Sequence, residues 1–316
     1  MRYRTLGSSG LMVSVVGLGG NNFGRRLGLK GTQTVVDAAL EEGVNLIDTA
    51  DVYGNRGGSE TLLGQVLKGR RDQVVIATKF GSNMGGVNGP EWEARGSRRY
   101  VRRAIESSLE RLQTDHVDLY QQHSPDPSTP IEETLAALDE LVKEGKVRYV
   151  GSSNYAAWQV AHADWIARDS GLTRFVSAQN EYSLMERGAE AALLPVCRRF
   201  GVGILPYFPL ARGLLTGKYR RGEPAPPGSR LGGSSEALSD PVFDRLEALE
   251  KFAVDRGVGL LEVAVGGLAA QPMVASVIAG ATGPEQVRAN VRAGRWEPGP
   301  EDLAALDQIA PSGRLS

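Results

Sequence analysis

Asp48 closes a short apolar run in the stretch NLIDTADVYG, and Tyr53 returns a phenol beside it across a polar turn. Other polar residues follow other apolar runs in the same way. Lys79 comes after VVIAT, His123 after VDLYQ, Ser153 and Asn154 after VRYVG, and Tyr207 after VGILP, while Gln179 ends FVSAQ. A carboxylate, a phenol, an ammonium group and an imidazole can together hold, donate and accept protons, which is what general acid–base catalysis requires. Singly, each has a plainer reading. A strand-end aspartate commonly caps a turn, a lysine there reaches solvent, and a lone histidine is more often structural than catalytic. Their significance depends on whether one architecture brings them to one place.

The runs that carry them read as strands buried on both faces. They cover residues 14–19, 44–47, 74–78, 117–121, 147–151, 175–179, 202–206 and 274–278, and are bounded by Gly, Pro or polar residues. Between them, residues 32–42, 59–67, 97–112, 131–143, 156–167, 190–200, 260–270 and 284–293 place apolar side chains three or four apart, as amphipathic helices do. Ser97 stands where an N-cap belongs and Pro284 in a first helical turn. One-to-one alternation of strand and helix implies parallel pairing through right-handed crossovers. An open doubly wound sheet could hold the same strands, but the regular alternation and the length favour a closed (β/α)8 TIM barrel of the α/β class, in one domain over residues 1–316. In such a barrel the C-terminal strand ends share one mouth, so the polar residues above converge there. Residues 2–6 and 11–13, joined by GSSG, are expected to form a hairpin plugging the opposite mouth. Residues 213–239 form a long Gly/Pro/Ser-rich loop after strand seven, and residues 241–256 and 301–309 two extra helices that cap the barrel.

Composition narrows the class of protein. The chain has 316 residues, 41% hydrophobic and 23% charged, with a formal net charge of −1, so no nucleic-acid or acidic-membrane partner is expected. The single cysteine, Cys197, excludes an intramolecular disulfide framework and fits a reducing compartment. MRYRTLGSSG lacks the apolar core of a signal peptide, and no apolar run approaches the ~20 residues that span a bilayer. The expectation is a cytoplasmic enzyme, with a homo-oligomer left open. Other chemistries find little support. GLGGNN lacks the third glycine of a dinucleotide fingerprint, and His116 and His162 have neither ligand spacing nor carboxylate partners for a metal.

The blocks IDTADVYG, IATKF, DLYQQHSPDP, VGSSNY, SAQNEYS, LPYFPLARGLLTGKY and IAGATGPEQVRAN run in one order over nearly the whole chain. They resemble successive signature blocks of the aldo-keto reductase superfamily. With the start GLGGNNFG, the likeness is greatest to bacterial aldo-keto reductases and the related potassium-channel β-subunits. The resemblance implies an NADPH-dependent oxidoreductase that reduces small aldehydes or ketones to alcohols through a tetrad of Asp48, Tyr53, Lys79 and His123. The chemistry of such a set is coherent. Hydride delivery to a carbonyl leaves a developing alkoxide that needs a proton. Tyrosine, with an ordinary pKa of about 10, is a reluctant donor unless a neighbouring ammonium favours its phenolate. Lys79 would be that ammonium, Asp48 would hold it, and His123 would contact the substrate oxygen.

The same resemblance implies a set of cofactor residues. Ser153, Asn154 and Gln179 match the positions that bind the nicotinamide carboxamide, and Tyr207 matches the aromatic stacked on its ring. Leu210, Arg212, Gly213 and Lys218 fall in the pyrophosphate block, and Arg230 matches a loop arginine near the adenosine end. Gly280, Thr282, Gln286 and Asn290 belong to the last block, at the adenosine phosphate and adenine. The chain departs from some members there, with Gly280 and Gln286 in place of a lysine and an arginine and Ala289 in place of an acid. Phe208 stands where a small polar residue is often found. These departures bear on cofactor preference. The loops near Asn21, Tyr53, Phe80, Trp92 and Phe208, with the C-terminal segment, are expected to wall the pocket, and the short tail PSGRLS to leave it open to many carbonyls. The alternative is a nicotinamide-binding regulatory subunit, resembling channel β-subunits, with slow redox turnover. A barrel lyase or hydrolase would leave Ser153, Asn154 and Gln179 unexplained.

Overall fold

The structure, a computed structural model, describes residues 1–227, 229, 231–232 and 238–313. It opens on an antiparallel hairpin, β1 (Tyr3–Thr5) with β2 (Met12–Ser14). Eight parallel strands follow, β3 (Val16–Gly19), β4 (Leu46–Asp48), β5 (Val75–Phe80), β6 (Val117–Gln122), β7 (Val147–Ser153), β8 (Phe175–Glu181), β9 (Gly203–Tyr207) and β10 (Val277–Gly280). They pair in chain order, with β10 returning beside β3. The sheet closes on itself just before β10, where Ile204 N–H donates to Met273 O at 2.7 Å and Ala275 N–H to Ile204 O at 3.0 Å. This is the (β/α)8 barrel that the alternating runs predict.

The helices are α1 (Leu29–Glu41), α2 (Tyr53–Val66), α3 (Arg98–Leu112), α4 (Ile131–Lys143), α5 (Ala157–Asp169), α6 (Leu193–Phe200), α7 (Asp240–Asp255), α8 (Leu260–Ala269), α9 (Pro284–Ala293) and α10 (Pro300–Ile309). In α3 the apolar spacing buries Val101, Ala104, Ile105 and Leu112, and Ser97 Oγ accepts from Tyr100 N–H at 3.3 Å as its position predicts. The two helices beyond the barrel count, α7 and α10, share an apolar cluster with α8 and the loops after β8 and β9. It contains Leu246, Leu249, Val263, Leu215, Leu184 and Leu306. Among the described residues no helix is long and apolar enough to cross a membrane.

The barrel interior is layered. Leu46, Ala77, Leu119, Leu205 and Ile278 form an apolar layer, and Leu6 and Val13 of the hairpin close it from the N-terminal side. The hairpin is tied down where Ser8 N–H donates to Gly201 O at 2.7 Å. Gly7 (φ +58°) makes that approach possible, since a Cβ there would come within 2.6 Å of Val176 O. The lower mouth is sealed, so any ligand must enter from the C-terminal strand ends.

Candidate active site

Side chains alternate along a strand, so the residue two places beyond an inward apolar one also faces the barrel axis. Leu46 is followed in this way by Asp48, Ala77 by Lys79, Leu119 by Gln121, Leu205 by Tyr207 and Ile278 by Gly280. Pairing aligns the polar layer, with Lys79 opposite Gln121 and Ser153 opposite Gln179. An apolar floor thus carries a polar ceiling.

At its centre lies a buried ion pair. Lys79 Nζ donates to Asp48 Oδ2 at 2.7 Å and to Thr49 O at 2.9 Å, and the two residues are 0% and 3% exposed. Asp48 Oδ1 accepts from Gln179 Nε2 at 2.8 Å and from Gln121 Nε2 at 3.4 Å, so both oxygens of the buried carboxylate are satisfied. Burial favours the neutral amine, but the charge of Asp48 and then Tyr53 outweighs it and raises the pKa of Lys79. Lys79 therefore stays charged.

Tyr53 begins α2, with Lys79 Nζ 5.0 Å from its ring centroid. Its ring meets that of His123 edge-on, with centroids 5.8 Å apart and planes at 77°. Lys79 pulls the phenol pKa down, as the sequence reading expects. Burial is the larger influence, however, and with Asp48 pushing the same way the net shift is upward. Tyr53 therefore holds its proton at neutral pH. His123 is held neutral, its pKa lowered to about 3 by burial and by the Lys79 charge. Its Nδ1 lies 3.0 Å from Ser82 Oγ, and its backbone carbonyl accepts from Asn154 Nδ2 at 2.9 Å. A Ser82 hydroxyl donating to Nδ1 leaves the ring proton on Nε2, free for a ligand. Ser82 and Gln121 are contributors that the sequence reading missed. A buried glutamine in an otherwise apolar strand was the signal for Gln121, whereas KFGS gave none for Ser82.

Asp48, Tyr53 and His123 open on a cavity of about 660 Å³, with Lys79 behind them. The same cavity is lined by Ser153, Asn154, Gln179, Tyr207, Leu210, Arg212, Gly213, Lys218, Gly280, Thr282, Gln286 and Asn290. Arg230 lies outside the described residues. Asn154 is left-handed (φ +60°), and its Oδ1 accepts from Tyr207 OH at 2.8 Å. Three cations, Arg26, Arg212 and Lys218, face the cavity, and none is ion-paired to another described residue. At α9, Gln286 Oε1 accepts from Thr282 N–H at 2.8 Å. Arg288 is turned away, paired with Glu285 at 2.6 Å and Glu41 at 3.5 Å, consistent with its place on another face of the helix.

Of the residues that mark the expected wall loops, two have side chains outside the cavity wall. Phe80 follows inward-facing Lys79 and so points outward into the helix layer, fully buried against Tyr120 at 4.7 Å. Trp92 is 76% exposed, with the Arg99 guanidinium 5.7 Å from its ring centroid, and is absent from the cavity wall. Asn21 and Phe208 do line it.

A family model described as the aldo/keto reductase family matches residues 15–311. This chain belongs to the aldo/keto reductase family. It is similar to an uncharacterized oxidoreductase, YrpG, of Bacillus subtilis, at 36% identity over 98% of this chain and 96% of that one. A probable voltage-gated potassium channel subunit beta of Arabidopsis thaliana is also 36% identical, over 93% of this chain and 91% of that one. The L-glyceraldehyde 3-phosphate reductase of Escherichia coli K12 is 32% identical over 100% of this chain and 94% of its own. As a member of this family, the aldo/keto reductase described here is an NAD(P)H-dependent oxidoreductase.

Proposed function

We propose that this aldo/keto reductase uses NADPH to reduce the carbonyl group of small aldehydes or ketones to alcohols, with Tyr53 as the general acid. The observation that carries the reading is the meeting of Tyr53 and neutral His123 on one cavity, in front of the buried Lys79–Asp48 pair. The cavity suits a dinucleotide. Arg26, Arg212 and Lys218, with no ion-pair partner among the described residues, offer positive charge to phosphates, and Thr282 and the first turn of α9, with Gln286, offer N–H and side-chain donors. Bound NADPH supplies the hydride. Ser153, Asn154 and Gln179 would hold its carboxamide and Tyr207 its ring, Leu210, Arg212, Gly213 and Lys218 would hold its pyrophosphate, and Gly280, Thr282, Gln286 and Asn290 its adenosine end.

His123 donates from Nε2 to the substrate oxygen and holds it within reach of the phenol. Tyr53 then passes its proton to the oxygen as negative charge builds there. Its raised pKa keeps that proton in place until the alkoxide, a far stronger base, demands it. Lys79 stabilises the phenolate left behind, and Asp48 keeps Lys79 charged and aimed.

The test is loss of NADPH absorbance across a carbonyl panel that includes L-glyceraldehyde 3-phosphate and unphosphorylated aldehydes, for wild type and Tyr53→Phe. Tyr53→Phe deletes the acid and should lower turnover by about 10²–10⁴-fold while leaving nicotinamide binding near wild type. Retention of roughly half the turnover or more overturns the assignment. Turnover on no member of the panel, together with a co-purifying partner, would replace it with the regulatory-subunit reading.

A further inference from the structure

Tyr53 stands in an unusual stretch of backbone. Immediately after it, Gly54, Asn55, Arg56 and Gly57 all take left-handed conformations, with φ of +67°, +63°, +67° and +111°. For Asn55 and Arg56, which carry side chains, this conformation is strained, so the run persists only where its surroundings hold it. Two residues before it, Asp51 is fully buried, and its backbone N–H donates to Lys79 O at 3.1 Å. The Asp51 side chain takes no part in the proton chemistry proposed for Tyr53.

That side chain reaches the loop between β5 and α3. Asn88, on this loop, is 2% exposed and donates from Nδ2 to Asp51 Oδ2 at 2.9 Å. The same loop carries Ser82, which contacts His123, and Gly85, where any Cβ would collide with the guanidinium of Arg56. One loop therefore braces His123 and the segments on both sides of Tyr53.

We propose that the Asp51–Asn88 hydrogen bond is a strut through which this loop holds Tyr53 in its working position, which makes Asp51 a positioning residue for carbonyl reduction. The inference rests on the reading of Tyr53 as the acid. Among the described residues, Asp51 Oδ1 and Asn88 Oδ1 are both buried with no hydrogen-bond partner. A charge on so poorly solvated a carboxylate is costly, and a proton on Asp51 removes it. Burial, followed by the nearby charge of Glu60, raises the Asp51 pKa well above the usual carboxylate range, in agreement with this. Burial thus disfavours a charge on the Asp51 side of the strut. Shape and hydrogen bonding, rather than charge, are what it contributes.

The experiment compares Asp51→Ala, Asn88→Ala, Asp51→Asn and the double alanine variant, each checked for folding by circular dichroism. Turnover, the KM for a carbonyl and the Kd for NADPH are measured for each. Small misplacements of a reacting group cost up to about 10²-fold in rate, so Asp51→Ala and Asn88→Ala should lower kcat by about 10- to 100-fold, with NADPH Kd within about twofold of wild type. Asp51→Asn keeps a neutral side chain of the same shape and should retain about half the wild-type kcat or more. The double variant should be no worse than the poorer single one, because both remove one contact. Should Asp51→Ala not fold, Asn88→Ala breaks the same strut from the exposed loop. Wild-type kcat in Asn88→Ala, or a loss in Asp51→Asn equal to that of alanine, overturns the inference. Failure of the reading beneath it is distinct, because it appears as undiminished turnover in Tyr53→Phe.

Discussion

Replacing Lys79 with methionine tests the electrostatics of the site most directly. The substitution nearly preserves volume but deletes the cation that contacts Asp48 at 2.7 Å and Thr49 O at 2.9 Å. Breaking a buried ion pair typically costs about 3–5 kcal/mol, because a charge is stranded. Here Asp48 keeps two amide donors, Gln179 at 2.8 Å and Gln121 at 3.4 Å, which places the cost at the lower end. A loss of about 3 kcal/mol leaves an ordinary domain folded. Catalysis should suffer more. With the ammonium 5.0 Å from the ring centroid of Tyr53, its attraction for a full phenolate charge is about 3 kcal/mol at an effective dielectric of about 20. That corresponds to about 10²-fold in turnover. The pH dependence has a definite sign. Lys79 lowers the Tyr53 pKa against the larger upward effect of burial, so its removal moves the phenol further up. Alcohol oxidation with NADP+, which needs the phenolate, should then begin its alkaline rise at higher pH than in wild type. A folded Lys79→Met enzyme whose alkaline limb is unmoved would refute the role given to Lys79.

Three further expectations can be checked on the same protein. Ser82→Ala removes the partner of His123 Nδ1 at 3.0 Å and should lower turnover by about fivefold, the worth of one hydrogen bond of about 1 kcal/mol, with no change in NADPH affinity. His123 has a folded-state pKa of about 3 against an ordinary 6.5, so the unfolded chain binds the extra proton. The stability this group contributes is whole above pH 6.5 and is lost as pH falls towards 3, so urea titrations should show a shallower acid loss in His123→Gln than in wild type. Titration of both cofactors should show tighter binding of NADPH than NADH, because a 2′-phosphate brings close to two further negative charges to the adenosine end, where Arg230 is expected from the sequence. Arg230→Ala should narrow that difference, whereas equal affinities in wild type would overturn the preference itself.

What the sequence made readable follows one physical rule. Strands of a parallel barrel are buried on both faces, so their apolar runs stand out, and a charged residue at the end of such a run is conspicuous. Asp48, Lys79, His123 and Gln179 stand out in this way, and strand alternation places Asp48, Lys79 and Gln179 on one inward layer. Position along the chain says less without that alternation. Phe80 adjoins Lys79 in sequence and for that reason faces the opposite way, into the helix layer. Residues that act across loops left no local trace. Ser82, Asp51 and Asn88 lie in polar, turn-like stretches where a small or acidic residue reads as solvated, and only the fold reveals that Asp51 and Asn88 are buried against each other. Arg187 is the extreme case. In the polar stretch MERGAE it reads as surface, yet it is 2% exposed and gathers Glu190 at 2.6 Å and Asp307 at 2.5 Å, joining the loop after β8 to α10. A charged side chain can be buried only if partners satisfy it, and when those partners come from distant segments, folding is the only source of the information. The polar groups proposed to handle protons are therefore visible one strand at a time. The groups that hold them in place belong to pairs of segments, and no single segment of the sequence encodes a pair.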